Sequence, residues 1–244
     1  MADAEMPVRK SDLGVRTVSA IVMVTVAGAA LWLGGAVWAV FVALVAMGVL
    51  WEWRALVRAF PDGGVARAVW NLGGFIYIAL ACAFLLMLRN EFFGIAPVLI
   101  LVTLVVATDI GAYAAGRTIG GPRIAPSISP SKTWAGLGGG ILGATIVYLV
   151  MGNLVFAPVG FGEDYVPAPL WQTILLSLAA GAATAVVAQA GDFFQSWMKR
   201  RAGVKDSGKL LPGHGGLFDR VDGLLAVCVV YVLLAAPYVL LAPL

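Results

Sequence analysis

The sequence predicts an all-α membrane protein, a single integral domain (1–244) that crosses the bilayer about seven times. Of its 244 residues, 61% are hydrophobic and only 12% are charged, whereas a soluble domain carries about 25% charged residues. Several apolar runs approach the roughly 20 residues that span a bilayer as a helix. Basic residues are concentrated in alternate connections between these runs, which is typical of a polytopic protein.

The predicted spans cover about 17–34, 36–53, 69–88, 94–113, 134–156, 169–191 and 223–242. Gly34 and Gly35 supply a tight turn between the first two spans. The first apolar run is longer than a signal-peptide core and a second span follows at once, so we interpret it as an uncleaved span. Small residues predict close helix packing along the fifth span. These are Gly136, Gly138, Gly139, Gly140 and Gly143.

The distribution of charge predicts that the N-terminus, including residues 1–15, lies in the cytoplasm. With this orientation all 16 lysines and arginines except Arg89 fall on the cytoplasmic side, as the positive-inside rule requires. The connection 157–169 has two carboxylates and no lysine or arginine, so we predict that it is external. Tryptophans near the span ends are expected at the membrane–water interface. They are Trp51, Trp53, Trp70, Trp134 and Trp171.

The residues that predict function lie in two cytoplasmic connections, about 114–133 and 192–222. The second carries six lysines and arginines, the one histidine of the chain and a glycine-rich turn between two apolar spans. Charge this dense beside a membrane must be paired, solvated or bound to an ion. The second connection is therefore the stronger candidate for a functional site.

Three carboxylates of this connection are candidate metal ligands. Asp192 ends the sixth span, and Ser196 and Lys199 follow on the same helix face. Asp219 and Asp222 share a face where the seventh span begins. Mg²⁺ is usually held by one or two carboxylates together with substrate phosphates. The pattern therefore predicts a magnesium site that binds a phosphorylated substrate.

The turn between these carboxylates predicts an anion site. Gly213, Gly215 and Gly216 precede a helix start, where backbone N–H groups and the helix dipole favour phosphate. His214 is expected to donate to phosphate or to carry a proton. The run 199–201 is either part of this site or a solvated cluster that binds anionic headgroups. The cations expected to screen a substrate's phosphates are Lys199, Arg200, Lys205, Lys209 and Arg220.

The first connection adds candidate substrate contacts. Asp109 and Tyr113 lie one helical turn apart at the inner end of the fourth span. Asp109 is either a metal or substrate contact or a helix-end carboxylate paired with an arginine. Ser129, Lys132 and Thr133 come just before the fifth span, where hydroxyls and a lysine can bind phosphate oxygens.

The segment 196–222 reads S-x-M-K-R-x4-K-D-S-G-x-L-L-P-G-H-G-G-L-x-D-R-V-D and resembles the signature of the phosphatidate cytidylyltransferases, or CDP-diacylglycerol synthases. Upstream, D-x3-Y-x2-G-R at 109–117 and S-P-S-K-T-W at 129–134 are similar to a second block of that family. The resemblance covers about 94–244, which would be the catalytic part of the chain. Gln195 and Ala135 stand where the family usually has Glu.

The resemblance implies that phosphatidic acid attacks the α-phosphorus of CTP and that CDP-diacylglycerol and pyrophosphate are formed. It implies Mg²⁺ as cofactor, held by Asp192 and Asp219 with Asp222 nearby, and K⁺ as a second cation in some descriptions of the family. It also implies a homodimer in a bacterial inner membrane, with membrane lipids and no nucleic acid as partners. The catalytic residues would be Asp192, Asp219, Lys199, Lys209 and His214.

Three alternatives stay open at this point. A polyprenol kinase would transfer the γ-phosphoryl group of CTP instead of the cytidylyl group. An ion-coupled transporter would use intramembrane carboxylates such as Asp109 and Asp192, near the midplane and often within broken helices. A scaffold that binds anionic lipid through its basic connections would need no carboxylate.

Overall fold

The computed structural model describes residues 13–90, 94–151 and 168–241, with side chains as far as 237. These residues form α1 (Leu13–Leu33), α2 (Gly35–Arg58), α3 (Gly64–Leu88), α4 (Ala96–Thr118), α5 (Trp134–Met151), α6 (Leu170–Arg201) and α7 (Phe218–Leu241). All seven are long and apolar enough to cross a membrane, so the predicted all-α membrane fold is confirmed. Residues 1–12 and most of the predicted external connection 157–169 lie outside the described residues.

The structure differs from the prediction mainly at the polar end of the bundle, where α4 and α6 end and α5 and α7 begin. Here α6 continues to Arg201 rather than ending near 191, and α7 begins at Phe218 rather than near 223. Hydropathy marks the apolar part of a helix, whereas ion pairs and caps extend the backbone helix beyond it. An unpredicted antiparallel hairpin of β1 (Arg123–Ala125) and β2 (Ser129–Thr133) joins α4 to α5.

Small residues bring α4 and α5 into close contact. A Cβ on Gly139 would lie 2.3 Å from the Gly111 carbonyl oxygen, and one on Gly143 would lie 2.3 Å from the Ala107 carbonyl oxygen. Because lipid is as apolar as leucine, helices in a bilayer gain stability from such close packing rather than from burial of apolar area. The predicted role of the fifth-span glycines is confirmed except at Gly138, which faces open space.

At the end of the bundle opposite the polar end, Arg89 binds the last turn of α1. This is the cation predicted to lie on the external side of the membrane. Its guanidinium donates to the carbonyl oxygens of Leu31 (2.8 Å) and Trp32 (3.3 Å) at the end of α1. A cation at a helix C-terminus satisfies free carbonyls and complements the helix dipole. The predicted glycine turn follows directly, with a φ of 64° at Gly34 and 48° at Gly35.

The tryptophans divide between the surface and the core. Trp51, Trp134 and Trp171 are more than half exposed, as expected at an interface. Trp53 is 2% exposed and donates to the Trp70 carbonyl at 3.0 Å, within one aromatic cluster of the core. Trp53 therefore does not face the lipid, and Trp70 packs against the same core; the membrane depth of both stays a prediction. Residues two positions apart in a helix point in different directions, so Trp51 and Trp53 could not both face the lipid.

Gly139→Ala is expected to destabilise the bundle, because the new methyl group would meet the Gly111 carbonyl and push α4 and α5 apart. Overpacking of this kind costs about 1–3 kcal/mol. The matched control is Gly138→Ala, which meets no atom within 4 Å and replaces a poor helix former by a good one. Thermal unfolding in detergent should show a lower midpoint for Gly139→Ala alone. Equal midpoints for the two variants would contradict this packing.

Candidate active site

The polar residues predicted from two separate connections meet at the polar end of the bundle. A cavity of about 360 Å³ lies there between α4, α6, α7 and the connection 202–217, which we call the α6–α7 loop. The cavity combines carboxylates with basic side chains, and Asp206 alone was not among the predicted site residues. Its lining residues are Asp109, Asp192, Lys199, Asp206, His214, Asp219, Arg220 and Asp222.

The carboxylate of Asp219 is surrounded by protein donors. Its Oδ1 accepts hydrogen bonds from Gln195 Nε2 (2.5 Å) and Lys199 Nζ (2.7 Å). Its Oδ2 accepts from the backbone N–H (2.9 Å) and hydroxyl (3.0 Å) of Ser207 and from the Gly216 N–H (3.2 Å). A carboxylate offers about four lone-pair positions. Two N–H donors on each oxygen fill them, and the Ser207 hydroxyl, whose one hydrogen also faces Glu52, is a shared contact. In this arrangement Asp219 anchors the α6–α7 loop.

Glu52 of α2 holds the same loop from the opposite side, and sequence reasoning did not identify it. This carboxylate is 1% exposed and accepts hydrogen bonds from the N–H groups of Leu217 (3.0 Å) and Phe218 (2.8 Å) and from the Ser207 hydroxyl (2.9 Å). A negative charge at a helix N-terminus is stabilised by unpaired N–H groups and by the dipole. The available signal was a carboxylate inside an apolar span, which is rare without a function.

The glycine turn of the α6–α7 loop is held by hydrogen bonds between its own backbone groups. The N–H groups of His214 (3.0 Å) and Gly215 (3.1 Å) both donate to the Leu211 carbonyl. Gly213 and Gly215 have φ values of 74° and 83°, which favour glycine. Since the Gly216 N–H is bound by Asp219, the N–H groups at 214–216 are used within the protein. These three N–H groups are therefore not free to bind phosphate, and the phosphate site on this turn stays a prediction.

The turn instead places His214 between two other side chains. Its Nδ1 shares a hydrogen bond with the Ser19 hydroxyl of α1 at 2.7 Å. Its carbonyl oxygen accepts from Arg220 Nε (3.2 Å) and a terminal guanidinium nitrogen (2.7 Å). His214 thus connects α1 to the start of α7 and fixes the direction of the Arg220 guanidinium.

The β-hairpin brings Lys132 into the site, where its ammonium group forms an ion pair with Asp192. The Thr133 hydroxyl oxygen accepts a hydrogen bond from the Gly136 N–H at 3.1 Å, which caps the start of α5. A second cavity of about 360 Å³ lies beside the hairpin and shares Asp109 with the first. It is lined by Asp109, Ala112, Tyr113, Gly116, Arg117, Ser131, Lys132, Thr133, Gly136 and Gln189.

Gln189 is a further residue near the site that the sequence did not reveal. It lines the hairpin cavity and is 4% exposed, and neither its amide oxygen nor its amide nitrogen has a hydrogen-bond partner among the described residues. An unpaired buried polar group costs about 1–3 kcal/mol. Such a side chain beside a cavity indicates a polar ligand.

The basic run 199–201 is not simply a solvated cluster. Lys199 pairs with Asp219, and Arg201 binds both carboxylate oxygens of Asp62 at 2.7 and 2.9 Å. Arg200 is exposed, with a 3.4 Å contact to the Ile128 carbonyl. Two of the three cations, Lys199 and Arg201, are therefore paired with carboxylates rather than solvated.

Four other predicted residues do not line either polar cavity. Ser129 pairs with Ala125 in the hairpin, and Ser196 is half-buried on α6. Lys205 and Lys209 are exposed on the α6–α7 loop. Their roles in substrate binding and catalysis stay predictions.

The donor set fits a magnesium ion that arrives with phosphate. Asp109, Asp192 and Asp222 are close enough for their charges to interact, and oxygen donors are what Mg²⁺ prefers. Within the described part of the chain, no three His, Cys, Asp or Glu side chains form a complete metal cluster. Mg²⁺ commonly uses one or two carboxylates plus phosphates and waters, so this residue set would hold the ion together with a phosphorylated substrate rather than alone.

The fold and this cavity define a polytopic membrane protein with a cavity of carboxylates and cations at one end of its bundle. Residues 61–237 match the sequence model of a family described as the cytidylyltransferase family. The chain is 33% identical to a phosphatidate cytidylyltransferase of Brucella suis biovar 1, over 93% of this chain and 94% of that protein. It is 34% identical to a phosphatidate cytidylyltransferase of Rickettsia bellii, over 89% and 88% of the two chains. The chain belongs to the cytidylyltransferase family and is a nucleotidyltransferase, which confirms the resemblance found at 196–222.

Glu52→Gln is expected to loosen the α6–α7 loop. A carboxamide has one acceptor oxygen, and its NH₂ group would oppose the N–H donors at 217 and 218, so a buried donor is left unpaired at a cost of about 1–3 kcal/mol. Hydrogen–deuterium exchange in detergent should rise within 202–217. Asp62→Asn, which disrupts the ion pair with Arg201, serves as the control and should leave the 210–217 amides unchanged. Unaltered exchange there in Glu52→Gln would show that Glu52 does not hold the loop.

Proposed function

We propose that this protein is a phosphatidate cytidylyltransferase, which converts CTP and phosphatidic acid into CDP-diacylglycerol and pyrophosphate. The observation that carries the proposal is the polar cavity in which carboxylates lie beside Lys199 and Arg220 at one end of the bundle. That combination suits the joining of two polyanions with a divalent cation. The Brucella and Rickettsia relatives are phosphatidate cytidylyltransferases, which supports the choice of substrates.

The reaction exchanges one phosphoanhydride bond for another at the α-phosphorus of CTP. A phosphate oxygen of phosphatidic acid forms a bond to that phosphorus, and the bond from it to the oxygen bridging the β-phosphorus breaks. Pyrophosphate leaves with the electron pair of the broken bond. Because the attacking oxygen is already anionic, no strong general base is needed. Catalysis consists of reducing charge repulsion and aligning the two groups.

Fixed cations of the chain reduce this repulsion. Lys199 is held by Asp219 at 2.7 Å and Lys132 is held by Asp192, so both charges are in place before the substrates arrive. Arg220 is oriented by the carbonyl of His214. Preorganised charge of this kind stabilises a transition state without reorganisation during the reaction. We assign His214 to positioning Arg220 rather than to proton transfer.

Asp192 and Asp222 are the residues we assign to magnesium, with Asp109 beside them. The ion supplies charge neutralisation and orientation of the phosphates when it is bound. Asp219, which the sequence pattern placed in the same role, already has five protein donors and acts through the loop it anchors. No residue set is assigned to the K⁺ that the family resemblance implies.

The hairpin cavity is the proposed place for CTP. Lys132, Ser131 and Arg117 can donate to phosphate or ribose oxygens there. The unpaired carboxamide of Gln189 offers one donor and one acceptor to the nucleotide. Asp109 borders this cavity and the polar cavity, so the triphosphate would extend from the hairpin toward the carboxylates.

The protein is an integral membrane protein with bacterial relatives. We propose the bacterial inner membrane, with the polar end facing the cytoplasm, where CTP is available. The charge distribution supports this orientation, since Arg89 is the one cation at the opposite end among the described helices. Assembly as a homodimer is part of the same proposal, and mass photometry of the detergent-solubilised protein tests it.

The direct test uses purified protein with phosphatidic acid, Mg²⁺ and CTP labelled either in cytidine or in the γ-phosphate. Cytidine label should appear in the lipid product in equal amount to released pyrophosphate. Label from the γ-phosphate in the lipid would instead indicate a lipid kinase. Absence of any lipid product would contradict the proposal.

Asp222→Asn is expected to lower kcat by about 100-fold or more and to raise the Mg²⁺ concentration needed for half-maximal rate. The amide keeps the shape of the side chain but removes the charge that attracts the ion. Asp62→Asn is the matched control, because its ion pair with Arg201 lies outside both cavities and should leave the Mg²⁺ dependence unchanged. Asp222→Asn with normal turnover and normal Mg²⁺ dependence would remove this residue from the metal site.

Gln189→Leu is expected to raise the KM for CTP about tenfold while raising the thermal midpoint of the free protein. The substitution removes a ligand contact worth about 1–3 kcal/mol and, for the same reason, an unpaired buried amide. The KM for phosphatidic acid should change less than that for CTP. A lower midpoint together with an unchanged KM for CTP would show that Gln189 has a purely structural role.

A further inference from the structure

Helix α1 makes few contacts with the rest of the bundle at its polar end. Its buried residues, Ala30 and Leu31, lie near the opposite end. Residues 13–18 are exposed, and Ser19 is half-buried. The helix also lies outside residues 61–237, which match the family model. What α1 contributes at the polar end therefore depends on a small number of contacts.

One face of α1 touches the glycine turn of the α6–α7 loop at two positions three residues apart. The Ser19 hydroxyl shares a hydrogen bond of 2.7 Å with His214 Nδ1. A Cβ on Gly213 would lie 3.0 Å from Arg16 Cγ, so the stem of the Arg16 side chain lies against the turn. Residues at i and i+3 share a helix face. A space of about 710 Å³ lies beside this contact, between α1 and residues 211–212, so α1 reaches the loop over a short stretch.

His214 links this contact to the polar cavity. Its carbonyl oxygen accepts hydrogen bonds from Arg220 Nε (3.2 Å) and from a terminal guanidinium nitrogen (2.7 Å), and the Arg220 side chain lines the cavity. On either side of His214 stand Gly213 and Gly215, both with positive φ. Since glycine allows more backbone conformations than other residues, a contact from another helix to the His214 ring restricts the orientation of this turn.

We propose that Ser19 is a positioning residue for the reaction. By holding the ring of His214, it fixes the carbonyl group that directs the Arg220 guanidinium. A charge that keeps one direction stabilises a transition state without reorganisation, so loss of the Ser19 hydroxyl reduces what Arg220 contributes. This inference rests on the proposed function, and it adds α1 to the elements that build the site.

The test compares Ser19→Ala with Ser19→Thr, which keeps a hydroxyl group. Thr17→Ala is the matched control, because the Thr17 hydroxyl donates within α1 to the Leu13 carbonyl at 2.9 Å. Purified variants are assayed with phosphatidic acid, Mg²⁺ and cytidine-labelled CTP. Ser19→Ala should lower kcat about three- to tenfold, as expected for one interhelical hydrogen bond, while Ser19→Thr and Thr17→Ala keep most of the wild-type rate. Wild-type turnover in Ser19→Ala would overturn the proposal.

A double-mutant cycle with Arg220→Lys separates positioning from a general loss of folded protein. Lysine keeps the charge but lacks the planar group with which Arg220 binds the His214 carbonyl through two nitrogens. In the Arg220→Lys background, Ser19→Ala should therefore lower kcat by less than about twofold. An equal loss in both backgrounds would show that Ser19 does not act through Arg220, which would contradict the proposal.

The ring of His214 gives a readout that needs no turnover, because it is the one histidine of the chain. With ¹⁵N-labelled histidine in detergent-solubilised protein, the Nδ1 resonance should shift in Ser19→Ala and stay near its wild-type position in Ser19→Thr and Thr17→Ala. An unshifted resonance in Ser19→Ala would show that Ser19 does not hold the ring, and the inference would fail while the proposed function stands. If the wild type makes no CDP-diacylglycerol although the resonance shifts as expected, the proposed function fails and the Ser19–His214 contact stands.

Discussion

Two carboxylates, the buried Glu52 and the partly buried Asp219, hold the α6–α7 loop, and the geometry of the site depends on them. Ser207 donates its backbone N–H to Asp219, and its single hydroxyl hydrogen is shared between Asp219 and Glu52, so this one residue is held from two sides. A charge placed in a bundle interior is costly unless donors surround it. The free N–H groups at the start of α7 supply those donors to Glu52. The helix start, the loop and α2 therefore become one rigid unit.

This arrangement explains why the α6–α7 loop contains several glycines, a composition that by itself suggests a phosphate-binding turn. A Cβ on Gly208 would lie 2.3 Å from Glu52 Oε1, and one on Gly216 would lie 1.9 Å from the Ser207 hydroxyl oxygen. Glycine is required at both positions because carboxylates and backbone approach so closely. The signature thus encodes how the loop is fixed. Asp219 in turn holds Lys199, and the His214 carbonyl of the loop holds Arg220.

Asp109 borders both the hairpin cavity and the polar cavity. A nucleotide bound in the hairpin cavity, as we propose, would therefore extend toward the carboxylates of the polar cavity, where Lys199 and Arg220 also lie. Charges that are fixed in advance stabilise a transition state without moving during the reaction.

The sequence by itself determined the membrane class, the count of spans and the segments that carry the chemistry, because hydropathy, charge bias and a long polar motif are local properties. From the sequence alone, Asp109, Asp192 and Asp222 could be predicted to lie at the same face of the membrane, but not to converge. Tertiary structure alone decided that loop donors surround Asp219, that Glu52 binds the same loop, and that the Gln189 amide has no hydrogen-bond partner among the described residues. Each of these facts depends on contacts between residues far apart in the chain, since hydrogen-bond saturation is a property of three-dimensional surroundings.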